Sequence, residues 1–362
     1  MTCPQTPHYI DGGAILLQEL LGVGAYGSVY KGIHVATNQI VAVKCLVKTG
    51  LDARQRTFQH HEIDIHGLVS DHPNIVTLHK VIEDERDDCL YMVLDCGLEG
   101  DLFYTITERG GFVGNDVAIK SIFHQIAQAV LHCHSLGVYH RDLKPENIIL
   151  FGETVKLADF GLATTDPVSR DFGCGSTFYL SPECQGGYIE MVKSYDSAAN
   201  DVWSLGVILI NLVFGRNPWK QACPRDETFS TYVINNDSLQ RILPMTDEMS
   251  DIVKSVFCLN PKKRITLSEL ARRVQACSAF TTVDFRPSSP RPRRVPVASH
   301  TSYRLSSSSS ADGHVAATTT TTTTPASAVA NATAVKRRLE LSSLVDKDQQ
   351  QQQSQDSGVA LE

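Results

Sequence analysis

Several absences narrow this chain before any motif is read. No apolar stretch approaches the roughly 18 residues needed to cross a bilayer. The longest, Val202 to Phe214, is interrupted by Ser204 and Asn211 and reads as a buried helix. The first 20 residues lack a basic start followed by an apolar run, which argues against a secretory leader. The ten cysteines include no CxxC pair, the closest two being Cys89 and Cys96, which argues against structural zinc. Scattered unpaired thiols fit a reducing compartment. A basic excess is also lacking. The net charge is -7, which argues against binding nucleic acid through bulk charge. The expectation is a monomer in the cytoplasm or nucleus, with neither membrane nor nucleic acid as partner.

The 362 residues suffice for one large two-lobed domain plus a tail. Composition changes near Arg286. Beyond it lie Ser306 to Ser310, Thr318 to Thr324 and Gln349 to Gln353, homopolymer runs that cannot bury enough apolar area to offset chain entropy. Residues 286–362 are therefore expected to be a disordered tail, and regulators are its expected partners. Lys336-Arg337-Arg338 is a weak nuclear-import signal within it. The tail carries 9 basic and 6 acidic residues, +3, which leaves 24 against 34, -10, for the rest. Residues 1–14 are an N-terminal extension.

Between these ends the pattern changes once. Ile15 to Leu21, Ser28 to Ile33, Ile40 to Leu46, Val76 to Glu83 and Leu90 to Asp95 read as short strands, with one helix from Arg54 to Val69 among them. Helical spacing then takes over. Val117, Ile122, Ile126, Val130 and Cys133 predict an amphipathic helix ending at Gly137. Asn200 to Phe214, Met249 to Phe257 and Leu267 to Cys277 follow. The expected fold class is α+β, with a small β-rich lobe at about 15–95, a larger helical lobe at about 98–280, and a ligand cleft between them.

Four motifs carry chemistry. Gly22-Val23-Gly24-Ala25-Tyr26-Gly27-Ser28-Val29 joins two strands, and its glycines let backbone N–H groups close over phosphates. No helix follows the third glycine, which disfavours a dinucleotide fold. In Val41-Ala42-Val43-Lys44, strand alternation puts Ala42 and Lys44 on one face, where a small residue admits a flat ring and a lysine reaches phosphates. His140-Arg141-Asp142-Leu143-Lys144-Pro145-Glu146-Asn147 packs an acid, a cation and an amide into six positions, as phosphoryl transfer to a hydroxyl requires. Asp159-Phe160-Gly161 follows 17 residues after Asp142. Any one of these could be an ordinary turn; the four in this order are far more specific.

From about Ile15 to Phe280 the chain resembles the eukaryotic protein kinases. Ser181-Pro182-Glu183, the helix beginning Asp201-Val202-Trp203, and Arg264 as partner of Glu183 extend the likeness. Phe172 to Cys184, and His61-Glu62-Ile63 with His66, further resemble fungal kinases of the "negative regulator of sexual conjugation and meiosis" type. The resemblance implies a bilobal serine/threonine kinase that uses ATP and Mg²⁺ on protein substrates. The narrower likeness implies a role in nutrient response or sexual development. Asp142 would be the catalytic carboxylate and Lys144 its cationic neighbour. Asn147 and Asp159 would bind Mg²⁺. Lys44, paired with Glu62, would meet the phosphates. Val29, Ala42 and Ile149 would sandwich adenine, with Leu94 behind it, and Leu21 would also bind ATP. Asp95 and Gly97 would offer backbone hydrogen bonds, and Asp101 would bond ribose. Gly175 and Ser176 would form the substrate platform, with Ser176 bonding Asp142 and Lys144.

Three positions depart from the family pattern, at His66, Phe172 and Asn211, and Leu162 bears on acceptor choice. His66 stands where an aliphatic residue usually stacks on Phe160 and His140, and reads as a satisfied core histidine. Phe172 replaces the usual activating phosphothreonine, so Arg141 needs another anion, either Asp171 or phosphorylated Ser169. Asn211 replaces an acid that reads substrate arginine in basophilic kinases, leaving Glu146 and Asp101 as acidic contacts. Leu162 suggests serine over threonine as acceptor. The spacing of His60, His61 and His66 is poor for a metal. Two other readings remain, an ATP-binding pseudokinase or scaffold and a small-molecule phosphotransferase. The first is disfavoured because Lys44, Glu62, Asp142, Asn147 and Asp159 are all present, the second by Ser181-Pro182-Glu183 and the platform residues.

Overall fold

A computed structural model describes residues 7–23, 27–84, 88–187 and 191–282. Gly24, Ala25 and Tyr26 of the glycine-rich turn, the start of the N-terminal extension, and the whole tail from 286, with Lys336 to Arg338, lie outside the described residues.

The first lobe is one antiparallel sheet. Its strands are β1 (His8–Ile10), β2 (Ile15–Val23), β3 (Ser28–His34), β4 (Ile40–Val47), β5 (Leu78–Asp84) and β6 (Cys89–Asp95), in the order β1-β2-β3-β4-β6-β5. Strand β1 was not anticipated. Only three residues long, it pairs in register with Ile15 to Leu17 and buries Ile10, so part of the N-terminal extension belongs to the sheet. Alternation sorts β4 as expected. Val41, Val43 and Cys45 pack in the lobe's own core, while Ala42 and Lys44 face the cleft.

Helix α1 (Ala53–Val69) begins at a capping box in which Asp52 accepts from Gln55 N and Gln55 from Asp52 N. Its buried stripe runs Gln59, Glu62, Ile65, His66 and Val69, so a glutamate and a histidine four apart share the inward face.

The second lobe is built on helices α2 (Leu102–Glu108), α3 (Asp116–Ser135), α4 (Ser197–Phe214), α5 (Glu227–Ile234), α6 (Ser238–Ile242), α7 (Asp247–Val256) and α8 (Leu267–Ala276). Two pairs of short strands, the hairpin β7 (Ile148–Phe151) with β8 (Thr154–Leu157), and β9 (Val168–Ser169) with β10 (Tyr195–Asp196), form two small sheets. The spacing located α3 correctly but misread its first apolar residue. Val117 is 81% exposed. It lies five positions, about 140° around the helix, from Ile122, and the inward stripe is Ile119, Ile122, Phe123, Ile126, Val130 and Cys133.

Helix α4 runs through the middle of this lobe. By length and composition its 18 residues could cross a membrane, contrary to the expectation that no stretch comes near that length, yet 89% of it is buried inside the fold, as expected of a buried helix. Asp196 caps its start and Gly215, at φ 68°, ends it. At Gly206 an added Cβ would stand 2.2 Å from Val256 Cγ1 and 2.9 Å from Phe257 Cε1. Gly206→Ala is therefore expected to destabilise the fold by about 1–3 kcal/mol through overpacking, measured as a lowered denaturant midpoint with unchanged slope.

Candidate active site

The His140–Asn147 segment leaves α3 through strained backbone. Arg141 sits at φ 63°, a conformation rare for a non-glycine residue. What holds it is Asp201, fully buried on α4. One carboxylate oxygen accepts from Arg141 N at 2.8 Å, the other from His140 N at 2.9 Å and His134 Nε2 at 2.9 Å. The anchoring role of Asp201 was not anticipated. A lone acid within an otherwise largely apolar helix was its one local signal.

On this support three side chains converge. Lys144 Nζ donates to Asp142 Oδ2 at 2.6 Å and to Ser176 Oγ at 3.0 Å, and Ser176 N donates to Asp142 Oδ1 at 2.8 Å. Burial works against the Lys144 charge, but Asp142 outweighs it and the ammonium titrates above its ordinary value. Asn147 donates to Asp142 O at 2.9 Å and Oδ2 at 3.4 Å. Its amide nitrogen is thus engaged, leaving the carbonyl oxygen as a hard donor. Gly175 is required here. Its φ is 109°, and a Cβ would lie 2.5 Å from Arg141 O.

The opposite wall belongs to Lys44. It pairs with Glu62 on α1 and with Asp159 at 3.0 Å. Burial alone would discharge Lys44, but the two carboxylates hold it charged, with its titration raised. Burial likewise pushes Asp159 up, and Lys44 more than reverses this, so Asp159 stays ionised well below the usual carboxylate range. Asp159 also has positive φ, 62°, which turns it into the cleft. Phe160 behind it packs between His66, centroids 5.0 Å apart, and His140, at 5.1 Å.

Between the lobes lies a cavity of about 560 Å³. Leu21, Gly22, Gly27, Val29, Ala42, Leu94, Asp95, Gly97, Asp101 and Ile149 line it, with Lys44, Glu62, Asp142, Asn147 and Asp159 at its polar end. Val23 and Ser28, expected at the nucleotide, do not line it. Val23 is 69% exposed, and Ser28 neighbours Val29 on a strand and so faces the other way. Cys96, Leu98, Glu146, Ala158 and Leu162 also line the cavity and had not been assigned to it. Asp101 has a second duty, accepting from Tyr104 N at 2.7 Å as the cap of α2.

The remaining sites fall into place around the core. Arg141 donates to Leu162 O at 2.8 Å and, through Nη1, to both Ser169 Oγ and Asp171 Oδ2 at 3.1 Å. Arg264 grips Glu183 through two nitrogens, at 2.5 and 3.1 Å, and stacks 4.9 Å over Trp203. Tyr179 donates to Asn211 at 3.1 Å.

Residues 16–274 match the protein kinase domain model, and the chain belongs to the protein kinase family. Within it the chain is similar to the "Negative regulator of sexual conjugation and meiosis" of Schizosaccharomyces pombe, 47% identical over 290 residues, covering 75% of this chain and 61% of that protein. It is also similar to two Saccharomyces cerevisiae proteins. "Serine/threonine-protein kinase VHS1" is 31% identical over 74% of this chain and 70% of that protein. "Serine/threonine-protein kinase SKS1" is 36% identical over 61% of this chain and 46% of that protein. The alignments thus span between about half and 70% of these relatives.

His66 donates to Val76 O at 2.7 Å, and burial, which outweighs this bond, pushes its titration down from 6.5 to about 4. The unfolded chain therefore takes up this proton first. The stability that a neutral His66 contributes is complete above pH 6.5 and is lost as pH falls toward 4, amounting to about 3 kcal/mol. His66→Leu should flatten that part of the stability profile, read from denaturant midpoints at each pH. The slope difference is the readout, so any constant cost of leaving Val76 O unpaired drops out.

Proposed function

We propose that the chain is a Mg²⁺/ATP-dependent protein serine/threonine kinase. The observation that carries this is the bridge of Lys144 between Asp142 and Ser176. It presents a carboxylate, a cation and a hydroxyl-bearing platform to one acceptor position. A cavity of this size with apolar walls and one charged end suits a nucleotide. Val29, Ala42 and Ile149 would flank the base, and Lys44 would meet the phosphates. Asp159 and the carbonyl oxygen of Asn147 would hold Mg²⁺, which supplies neutralisation of phosphate charge. Asp142 would orient the acceptor hydroxyl and take its proton, with Lys144 steadying the transferred group. The likeness to a protein named as a regulator of conjugation and meiosis supports a similar regulatory role, with protein substrates and the tail as a place for regulators.

The catalytic parts argue against a scaffold that only binds ATP. With Mg²⁺, ATP and a serine peptide, Asp142→Asn should slow phosphopeptide formation on the order of 10³-fold while leaving the protein folded. A rate equal to the unaltered chain's would remove Asp142 from the role.

Asp171 is the resident anion of Arg141 in this reading, half exposed but in hydrogen-bond contact, where relatives of other design use a phosphothreonine. Protein made in bacteria should therefore be active without modification, Asp171→Asn should lose activity several-fold, and Ser169→Ala should retain it. An inactive Ser169→Ala protein rescued by Ser169→Asp would assign the anion to phosphorylated Ser169.

A further inference from the structure

The segment joining the lobes, residues 95–101, is stitched to β7 and β8 more tightly than a linker needs to be. At Gly97 a Cβ would fall 2.4 Å from Ile149 Cγ2 and 2.6 Å from Leu150 O. Gly100 O accepts from Leu150 N at 3.0 Å, and Glu99 accepts from Gly152 N at 2.9 Å. The start of the segment is pinned by a side chain. Asp95 Oδ2 accepts from Lys156 Nζ at 2.6 Å and from Thr77 N at 3.2 Å, while Oδ1 accepts from His79 Nε2 at 2.7 Å. Thr77 and His79 belong to the first lobe and Lys156 to β8 of the second. One carboxylate therefore collects donors from both sides of the cleft. Lys156 also lies 5.2 Å over the Phe151 ring, whose Cε2 is 3.2 Å from the Cβ position of Gly97.

The consequence for the cleft is geometric. Lys156 pairs with Ile149 across the hairpin and stands three residues before Asp159. Asp95 lines the cavity. We propose that the Asp95–Lys156 pair is a positioning device that fixes the linker backbone relative to the strand delivering Asp159, so that one bound ligand can meet both. The carboxylate suits the task. Partial burial pushes Asp95 up, but the Lys156 and Thr77 hydrogen bonds bring it down to about 2, so the carboxylate stays charged at neutral pH. This inference rests on a nucleotide occupying the cavity.

The test uses the full chain, with Mg-ATP binding followed by calorimetry and peptide phosphorylation followed by steady-state kinetics. Lys156→Met should raise the Mg-ATP Kd and KM on the order of 10-fold, the loss of one charge-assisted hydrogen bond, with kcat changed less than about twofold. Lys156→Arg should restore most of the affinity. Asp95→Asn keeps one acceptor oxygen but loses the charge that holds Lys156, and should give the same split if Lys156→Met does not fold. A lowered Tm with unchanged Kd and KM would make the pair merely structural and overturn the proposal. A raised kcat would overturn it too, by showing a restraint on lobe movement. If the unaltered chain binds no Mg-ATP, the nucleotide reading itself fails and the proposal falls with it.

Discussion

The loop at the centre of the candidate active site hangs from the carboxylate of Asp201. The loop that carries Asp142, Lys144 and Asn147 leaves α3 with Arg141 in a left-handed conformation, which costs on the order of 1–3 kcal/mol unless its surroundings impose it. Asp201 imposes it by accepting two successive backbone N–H groups and the His134 ring. Its position is fixed in turn by α4, the most deeply buried helix of the second lobe, which Gly206 lets approach α7 closely. A rigid apolar helix thereby sets the geometry of a buried polar loop.

The same helix fastens the other edge of the site. Asn200 accepts from Ser181 N and Oγ, Ser204 donates to Tyr179 O, and Trp203 carries the Arg264 guanidinium that holds Glu183. Ser176 is brought to Lys144 by a segment anchored at both ends. Across the cleft the supports are electrostatic instead. Lys44 joins Glu62 on α1 to Asp159 in the second lobe, and the His66–Phe160–His140 stack backs that contact with apolar packing. Charge in front and rings behind couple α1 to the catalytic loop.

Much of this was legible in the sequence, because the residues proposed to serve phosphoryl transfer lie in short local motifs. Strand alternation alone assigned Ala42 and Lys44 to one face. The pairings that resemblance implied, Lys44 with Glu62, Arg264 with Glu183, and Ser176 with Lys144, are all present as contacts. What escaped was of two physical kinds. Three-residue strand β1 is too short for a periodic signal, and Val117 at a helix start fits the spacing but not the buried stripe. The second kind is contact between distant polar residues. Asp201 beneath the loop, Lys156 against Asp95, and the second duty of Asp101 as a helix cap are set by tertiary geometry that no local pattern records.

The central claim is that this cleft transfers phosphate to an aliphatic hydroxyl on a protein. Its most direct test is a set of three peptides, identical but for serine, threonine or tyrosine at the acceptor, incubated with the full chain, Mg²⁺ and ATP and read by mass spectrometry. The account predicts phosphoserine forming fastest, phosphothreonine more slowly, and the tyrosine peptide unmodified. A chain that binds Mg-ATP yet modifies none of the three, itself included, would contradict it.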